Sequence, residues 1–410
     1  MSSLKKNILY SSILTTANYI FPLLTYPYVS RVLGVANIGV CNFVDSIVNY
    51  FIIFSMLGIA TVGIREISQA KGCRARLDKT FSQLFSIYLI TTIIATVILI
   101  ASIYLVPKLY ENRELMWTGV LKLISNFLLI DWFYKGLEEF KYITNRTLVV
   151  KCAYVIAIFL FIRSPEDTNL YFLLLTLMMT VNACINLIHS RKYVSIKLSF
   201  KGLGPVFKAV GILGVYSILT SLYTTFNTVF LGFTCGDVEV GYYATSHKIF
   251  KIILALFTAV TGVMMPRLSA LLGEGNYLEF KRLLKKSFYL LIIVFVPVAI
   301  LIGISAPLII RIIAGPEFSG AVLPLRIISP LIVIIGIEQI IIIQGLMPLK
   351  QDKAILINSI AGAVTGITLN ILLVSQLGAV GSSIAWFASE CAVLISALIF
   401  FTKTMKRINQ

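Results

Sequence analysis

The residues with the most chemical reach in this chain are ionisable side chains set inside otherwise apolar sequence. Glu338 stands in Ile-Ile-Gly-Ile-Glu-Gln-Ile-Ile-Ile and Glu390 in Phe-Ala-Ser-Glu-Cys-Ala-Val, with Asp45 and Asp131 near the ends of similar runs. A carboxyl in such surroundings gives up its hydration, so it must take a proton, bind a cation or face a basic partner. Glu338, Glu390 and Asp45 are therefore candidates for ion coupling, to H+ or Na+, or for pairing with a buried lysine. The bland alternative is a helix-to-helix hydrogen bond from a protonated carboxyl. Asp131, followed by Trp-Phe-Tyr-Lys-Gly, reads as an interfacial anchor.

The cations say more. Ala244, Lys248, Lys251, Ala255, Thr258 and Gly262 fall at helical spacing on one small, polar and basic face. Two ammonium groups over such a face can line a cavity that accepts an anion, acting as point charges toward phosphate. The competing reading is that both stems snorkel to the nearby interface. Lys122 lies five residues inside its apolar run, while Lys151 is close to the end of its own and reads as snorkelling. His247 adjoins the basic face; it either titrates in response to a proton gradient or is a satisfied structural group. Asn358, Gly362, Gly366 and Asn370 share a helix face that reads as close packing.

These side chains must be held by membrane-spanning helices. The 410 residues are 58% hydrophobic and 13% charged, with a mean hydropathy of +0.92, which excludes an ordinary soluble enzyme. Twelve apolar runs of spanning length follow, near 9–30, 40–62, 81–106, 118–134, 147–162, 170–189, 209–232, 246–265, 287–310, 322–347, 354–374 and 380–402. They lack the alternation of barrel strands. The first run is too long for a signal-peptide core and no cleavage site precedes Arg31, so it is expected to stay as a span. Six scattered cysteines suggest neither a disulfide framework nor a metal site.

Net charge is +17, yet the basic residues sit in short turns and form no patch for nucleic acid. Of 35 Lys and Arg, 25 fall on the side of the N-terminus, 6 on the other side and 4 within runs. The positive-inside bias then places both termini in the cytoplasm. The basic turn at 190–208 divides the spans into six and six, giving lobes of 1–195 and 196–410. Because both halves start on the same side, the expected fold is an all-α polytopic membrane protein: twelve transmembrane helices in two six-helix lobes related by a pseudo-two-fold along the membrane normal. Weak internal similarity agrees. Leu33-Gly34 and Leu231-Gly232 each close a run, and a shift of 202 matches Gly39 with Gly241 and sets Asp45 opposite His247. Nucleophile elbows, Walker loops and zinc-protease motifs are missing, and no turn can house a nucleotide-binding domain, so energy must come from an ion gradient, the membrane potential or the substrate gradient.

The stretch Asn-Tyr-Ile-Phe-Pro-Leu-Leu-Thr-Tyr-Pro-Tyr-Val-Ser-Arg-Val-Leu-Gly at 18–34, Asp-Ser-Ile-Val-Asn-Tyr-Phe at 45–51 and Gly-Ile-Ala-Thr-Val-Gly-Ile-Arg-Glu-Ile at 58–67 resembles the start of Wzx-type polysaccharide repeat-unit flippases. These belong to the multidrug/oligosaccharidyl-lipid/polysaccharide exporter superfamily. Val-Gly-Tyr-Tyr-Ala with His-Lys at 240–248 resembles the opening of that family's second half. The resemblance implies a transporter, not an enzyme, that moves an undecaprenyl-diphosphate-linked oligosaccharide across the bacterial inner membrane by alternating access. O-antigen, capsule or exopolysaccharide synthesis would be its setting, with polysaccharide polymerase components as further partners and no cofactor beyond a coupling ion. Lys248 falls where the family tends to carry a basic residue, and Arg31 and Arg65 match basic positions flanking the first two spans. Lys251 and Lys122 join that substrate-binding set by position alone. An ion-coupled multidrug exporter of the same superfamily is the alternative, and a membrane polymerase or glycosyltransferase a more distant one.

Overall fold

The computed structural model describes residues 3–199, 202–274, 276–349 and 351–409. The chain divides into two compact units, Met1–Ser221 and Leu222–Gln410. Among the described residues, seven helices are long and apolar enough to cross a membrane, or eight if the bent pair Pro316–Ile328 and Leu331–Leu346 is one span. This is a helical, multi-pass membrane protein.

The first unit contains α1 (Ser3–Met56), α2 (Ile59–Ala70), α3 (Arg74–Leu105), α4 (Pro107–Glu111), α5 (Arg113–Leu129), α6 (Asp131–Gly136), α7 (Phe140–Phe161), α8 (Thr168–Ser190) and most of α9 (Leu203–Thr224). The second contains α10 (Phe226–Cys235), α11 (Asp237–Gly273), α12 (Tyr277–Ile313), α13 (Val322–Ile328), α14 (Leu331–Gln339) and α15 (Asp352–Asn409). At 54 and 58 residues, α1 and α15 each have the length for two crossings of ~20 residues. Each is broken by a glycine in the left-handed region, Gly34 at φ 76° and Gly378 at φ 53°. These breaks fall between the apolar runs 9–30 and 40–62, and between 354–374 and 380–402.

A third glycine break joins α10 to α11. Gly236 has φ 88° and ψ −174°, close to the φ 76° and ψ 173° of Gly34, and stands 202 residues after it. The shift of 202 found in the sequence therefore lands on a shared backbone conformation. The match of Gly34 to Gly232 does not hold, since Gly232 lies inside α10. Three residues past Gly34 and past Gly236 a polar side chain fastens the helix to a distant segment of its own unit. Asn37 donates to the Pro165 carbonyl at 3.2 Å, and Glu239 accepts from the Ala379 amide at 2.7 Å.

An aromatic core holds the basic end of the first unit. Phe81 of α3 lies 5.7 Å from the Trp132 ring and 5.0 Å from Phe133, both in α6, while Tyr88 meets Phe127 edge-on at 5.2 Å. Such offset and edge-on pairs are the preferred aromatic geometries. Gly63 of α2 is required here, because a Cβ would sit 2.5 Å from the Trp132 ring. The break at Ile130, φ 39°, turns α6 away from α5 so that its aromatics reach this core.

Candidate functional site

The second unit contains five of the residues singled out in sequence. His247 and Lys248 of α11 are half-buried, and Lys251, one turn further on, is exposed. Both lysines act electrostatically on His247. His247 lies between two aromatic rings: Tyr243, nearly parallel at 5.7 Å, and Trp386 of α15, edge-on at 4.8 Å. Trp386 Nε1 donates to Glu390 Oε1 at 2.8 Å, and Glu338 of α14 is buried near Glu390, its Oε1 without a hydrogen-bond partner among the described residues. Both carboxyls are 6% exposed.

The line of polar groups continues past Tyr243. Asn227 of α10 donates to the Tyr243 hydroxyl at 3.0 Å, and Asn370 of α15 donates to Asn227 Oδ1 at 2.6 Å. α10, α11, α14 and α15 thus share one buried polar track, from Asn370 to Glu338. Two neighbouring carboxyls in apolar surroundings cannot both carry charge without a large cost, so one of them favours its protonated form. Glu338 and Glu390, with an indole donor behind, form a group that can hold one proton or, emptied of it, a cation.

Directly after Glu338, α14 passes into a π-helical segment, Ile340–Leu346. Widened turns of this kind free backbone groups and recur at functional sites. Its Gln344 is buried with no partner for Oε1 among the described residues. Positions 255, 258 and 262 of the basic face lie outside the residues whose side chains are described.

In the first unit the structure joins two residues to which the sequence gave separate roles. Lys122 of α5 forms an ion pair with Asp45 of α1 and reaches Asn49 Oδ1 at 3.4 Å, while Asn49 Nδ2 donates to Asp45 Oδ2 at 3.0 Å. The lysine charge is answered within the unit. Arg31 is exposed and donates to the Pro27 carbonyl at 2.5 Å; Arg65 is exposed and bonds Glu66 at 3.0 Å. Neither belongs to the Asp45–Lys122 group.

Two expectations about the first unit change. Asp131 is not a simple interfacial anchor: its Oδ1 accepts from both terminal nitrogens of Arg146 at 3.2 Å and from Asn186 at 2.9 Å. Nor does Lys151 snorkel. It is 8% exposed, and its ammonium donates to Asn18 Oδ1 at 2.8 Å and lies 5.6 Å from the Phe21 ring. The early part of α1 packs against α7, and its Asn18 and Phe21 meet the ammonium. Sequence reading also missed Asn227, Tyr243 and Trp386. The signal for Asn227 was present, as a lone amide in the run Phe-Asn-Thr-Val-Phe-Leu.

The helical order, the glycine breaks and the buried polar tracks define a polytopic membrane protein of transporter type. Residues 4–272 match the family model described as Polysaccharide biosynthesis protein, and 213–372 match MatE. The chain belongs to the Polysaccharide biosynthesis protein family and, with its Wzx-type sequence features, to the multidrug/oligosaccharidyl-lipid/polysaccharide exporter superfamily. A protein of Escherichia coli (strain K12) named as an O-antigen transporter is 25% identical over 401 residues, covering 97% of this chain and 96% of the relative. One of the same name from Shigella dysenteriae is 25% identical over 411 residues, covering 96% and 99%. Among solved structures, lipid II flippase MurJ in an inward closed conformation superposes with a TM-score of 0.77 at 15% identity, over 96% of this chain and 87% of that one. An outward-facing multidrug resistance MATE transporter gives a TM-score of 0.63 at 14% identity, over 99% and 96%. At these identities the structural likeness establishes the fold.

Proposed function

We propose that this protein translocates an undecaprenyl-diphosphate-linked oligosaccharide repeat unit from the cytoplasmic to the periplasmic leaflet of the bacterial inner membrane, by alternating access of two six-helix lobes. The products would serve O-antigen, capsule or exopolysaccharide synthesis, and both termini would be cytoplasmic. Full-length similarity to proteins named as O-antigen transporters supports the substrate class. The observation that carries the reading is the basic face of α11, where Lys248 and Lys251 stand together in the apolar run 246–265. A diphosphate entering a membrane protein loses hydration, and cations there replace it most directly. Arg31, Arg65 and Lys122 are assigned to the substrate path in the first unit.

Coupling is assigned to the Glu338–Glu390 pair, with His247 between it and the lysines and Asp45 as the charge partner of Lys122. Loss of the shared proton would leave two facing carboxylates, so proton occupancy and the local packing of α14 on α15 are linked.

The test is reconstitution into liposomes, scoring leaflet transfer of a fluorescent polyprenyl-diphosphate oligosaccharide. Wild type transfers the lipid, and the double variant Lys248→Ala, Lys251→Ala at matched folding does not. Equal transfer by both would remove the lysines from the mechanism. A second reading, an ion-coupled exporter of organic cations, is favoured by the buried carboxyl pair and the MatE match. It takes over if wild type exchanges protons for organic cations and moves no lipid of any head group.

A further inference from the structure

A cavity of about 560 Å³ opens in the first unit between the start of α7 and the end of α8. It lies far along the chain from the basic face of α11, and nothing in the proposed transport cycle uses it. Its lining changes character along its depth. At the basic end stand Lys141, Arg146 and His189, with Asn145 exposed beside them; at the other are Val149, Val150 and Ile185. Arg191 and Lys192 are exposed on the adjoining turn.

The polar end is built and not incidental. The Tyr142 and His189 rings stack at 3.9 Å with planes 11° apart, and the Tyr142 hydroxyl donates to the Ile185 carbonyl at 3.3 Å. Glu139, the one acid in the lining, is held by the Tyr193 hydroxyl at 3.2 Å. Burial, and after it the Glu139 carboxylate, holds the Tyr193 phenol above its ordinary value, so it remains a donor to that carboxylate. Arg146 is 8% exposed, and its Nε–H has no acceptor among the described residues.

The apolar end continues onto the lipid-facing sides of two spanning helices. Val149 is 69% exposed on α7, and Ile188 and Val181 are exposed on α8. On spanning helices such exposed side chains meet acyl chains. A ligand suited to this gradient has an anionic head and an apolar tail. A free sugar fits less well, because Tyr142 and His189 cover one face of each other and Val149, Val150 and Ile185 bring no polar side chain.

We propose that this cavity is a binding site for the phosphate head of a membrane lipid, an anionic glycerophospholipid such as phosphatidylglycerol, whose chain lies along Val149 and Ile185. Lys141 contacts the phosphate, and Arg146, whose terminal nitrogens are held by Asp131, offers its unpartnered Nε–H beneath it. The site rests on the membrane orientation given above, which places it at the cytoplasmic interface, and is independent of what the protein transports.

The test is photo-crosslinking of the purified full-length protein with phosphatidylglycerol carrying a photoreactive acyl chain, followed by peptide mapping. Adducts are expected in 145–150 and 181–189, over those from the matching phosphatidylcholine. Lys141→Gln is expected to lower them about fivefold, the loss of one basic contact at a membrane surface. Lys285→Gln, an exposed cation on α12, is expected to leave them unchanged. Displacement by polyprenyl phosphate, at concentrations where unlabelled phosphatidylglycerol does not compete, would identify the carrier lipid as the source of the same phosphate chemistry. Equal labelling by phosphatidylcholine, adducts confined to other segments, or indifference to Lys141→Gln would overturn the proposal, and none of these results bears on lipid transfer in liposomes.

Discussion

Asp131→Ala should unsettle the first unit more than its position near a span end suggests. The Arg146 side chain is 4% exposed, and both its terminal nitrogens reach Asp131 Oδ1 at 3.2 Å. Asn186 adds a third bond to the same oxygen at 2.9 Å, so one carboxylate ties α6, α7 and α8 together. Removing it leaves a guanidinium buried without a counter-charge, a change that costs about 3–5 kcal/mol when both partners are fully buried. The Asp131 side chain is 30% exposed, so water replaces part of the loss and about 2–3 kcal/mol is the better figure. For a cooperative unit of this size that lowers the melting temperature by about 4–12 °C. The assay is thermal unfolding of the detergent-purified protein for Asp131→Ala, Arg146→Met and the double variant Asp131→Leu, Arg146→Met. The double variant should recover at least half of the loss, because it removes the charge along with its partner. A drop below about 2 °C for Asp131→Ala, or simple addition of the two single effects, would refute the reasoning.

Three further outcomes follow from the same geometry. Gly378→Ala should destabilise the second unit by about 1–3 kcal/mol, since it forces a Cβ into the left-handed region and against Glu239; a melting temperature within error of wild type would contradict this. Gly63→Val should be worse than Gly63→Ala, because the added atoms meet the Trp132 ring, and loss of near-ultraviolet dichroism from the aromatic core is the readout. Glu390→Gln and Trp386→Phe should each weaken the dependence of liposome transfer on an imposed pH gradient while leaving the protein folded. If the gradient dependence survives in both, the carboxyl pair has no part in coupling.

Much of this protein was legible in its sequence because the bilayer leaves few choices. Backbone polar groups have no water to bond in lipid, so apolar runs bounded by Lys and Arg must be helices. The helical, multi-pass character of the chain could be read in advance for that reason. Likewise, the cost of an intramembrane charge was enough to mark Asp45, Lys122, His247, Lys248, Lys251, Glu338 and Glu390 before any coordinates. What the sequence left open was which of these meet. Asp45 and Lys122 are 77 residues apart and Glu338 and Glu390 are 52 apart; helix packing, which depends on side-chain shape across several elements, decides their pairing. Packing also buried Lys151 where snorkelling was expected, because α1 lies on α7 and its Asn18 and Phe21 meet the ammonium. Trp386 became the link between His247 and Glu390 only through the placement of α15 beside α11. Composition and periodicity settle the solvent and the secondary structure, and tertiary contact settles which charge answers which.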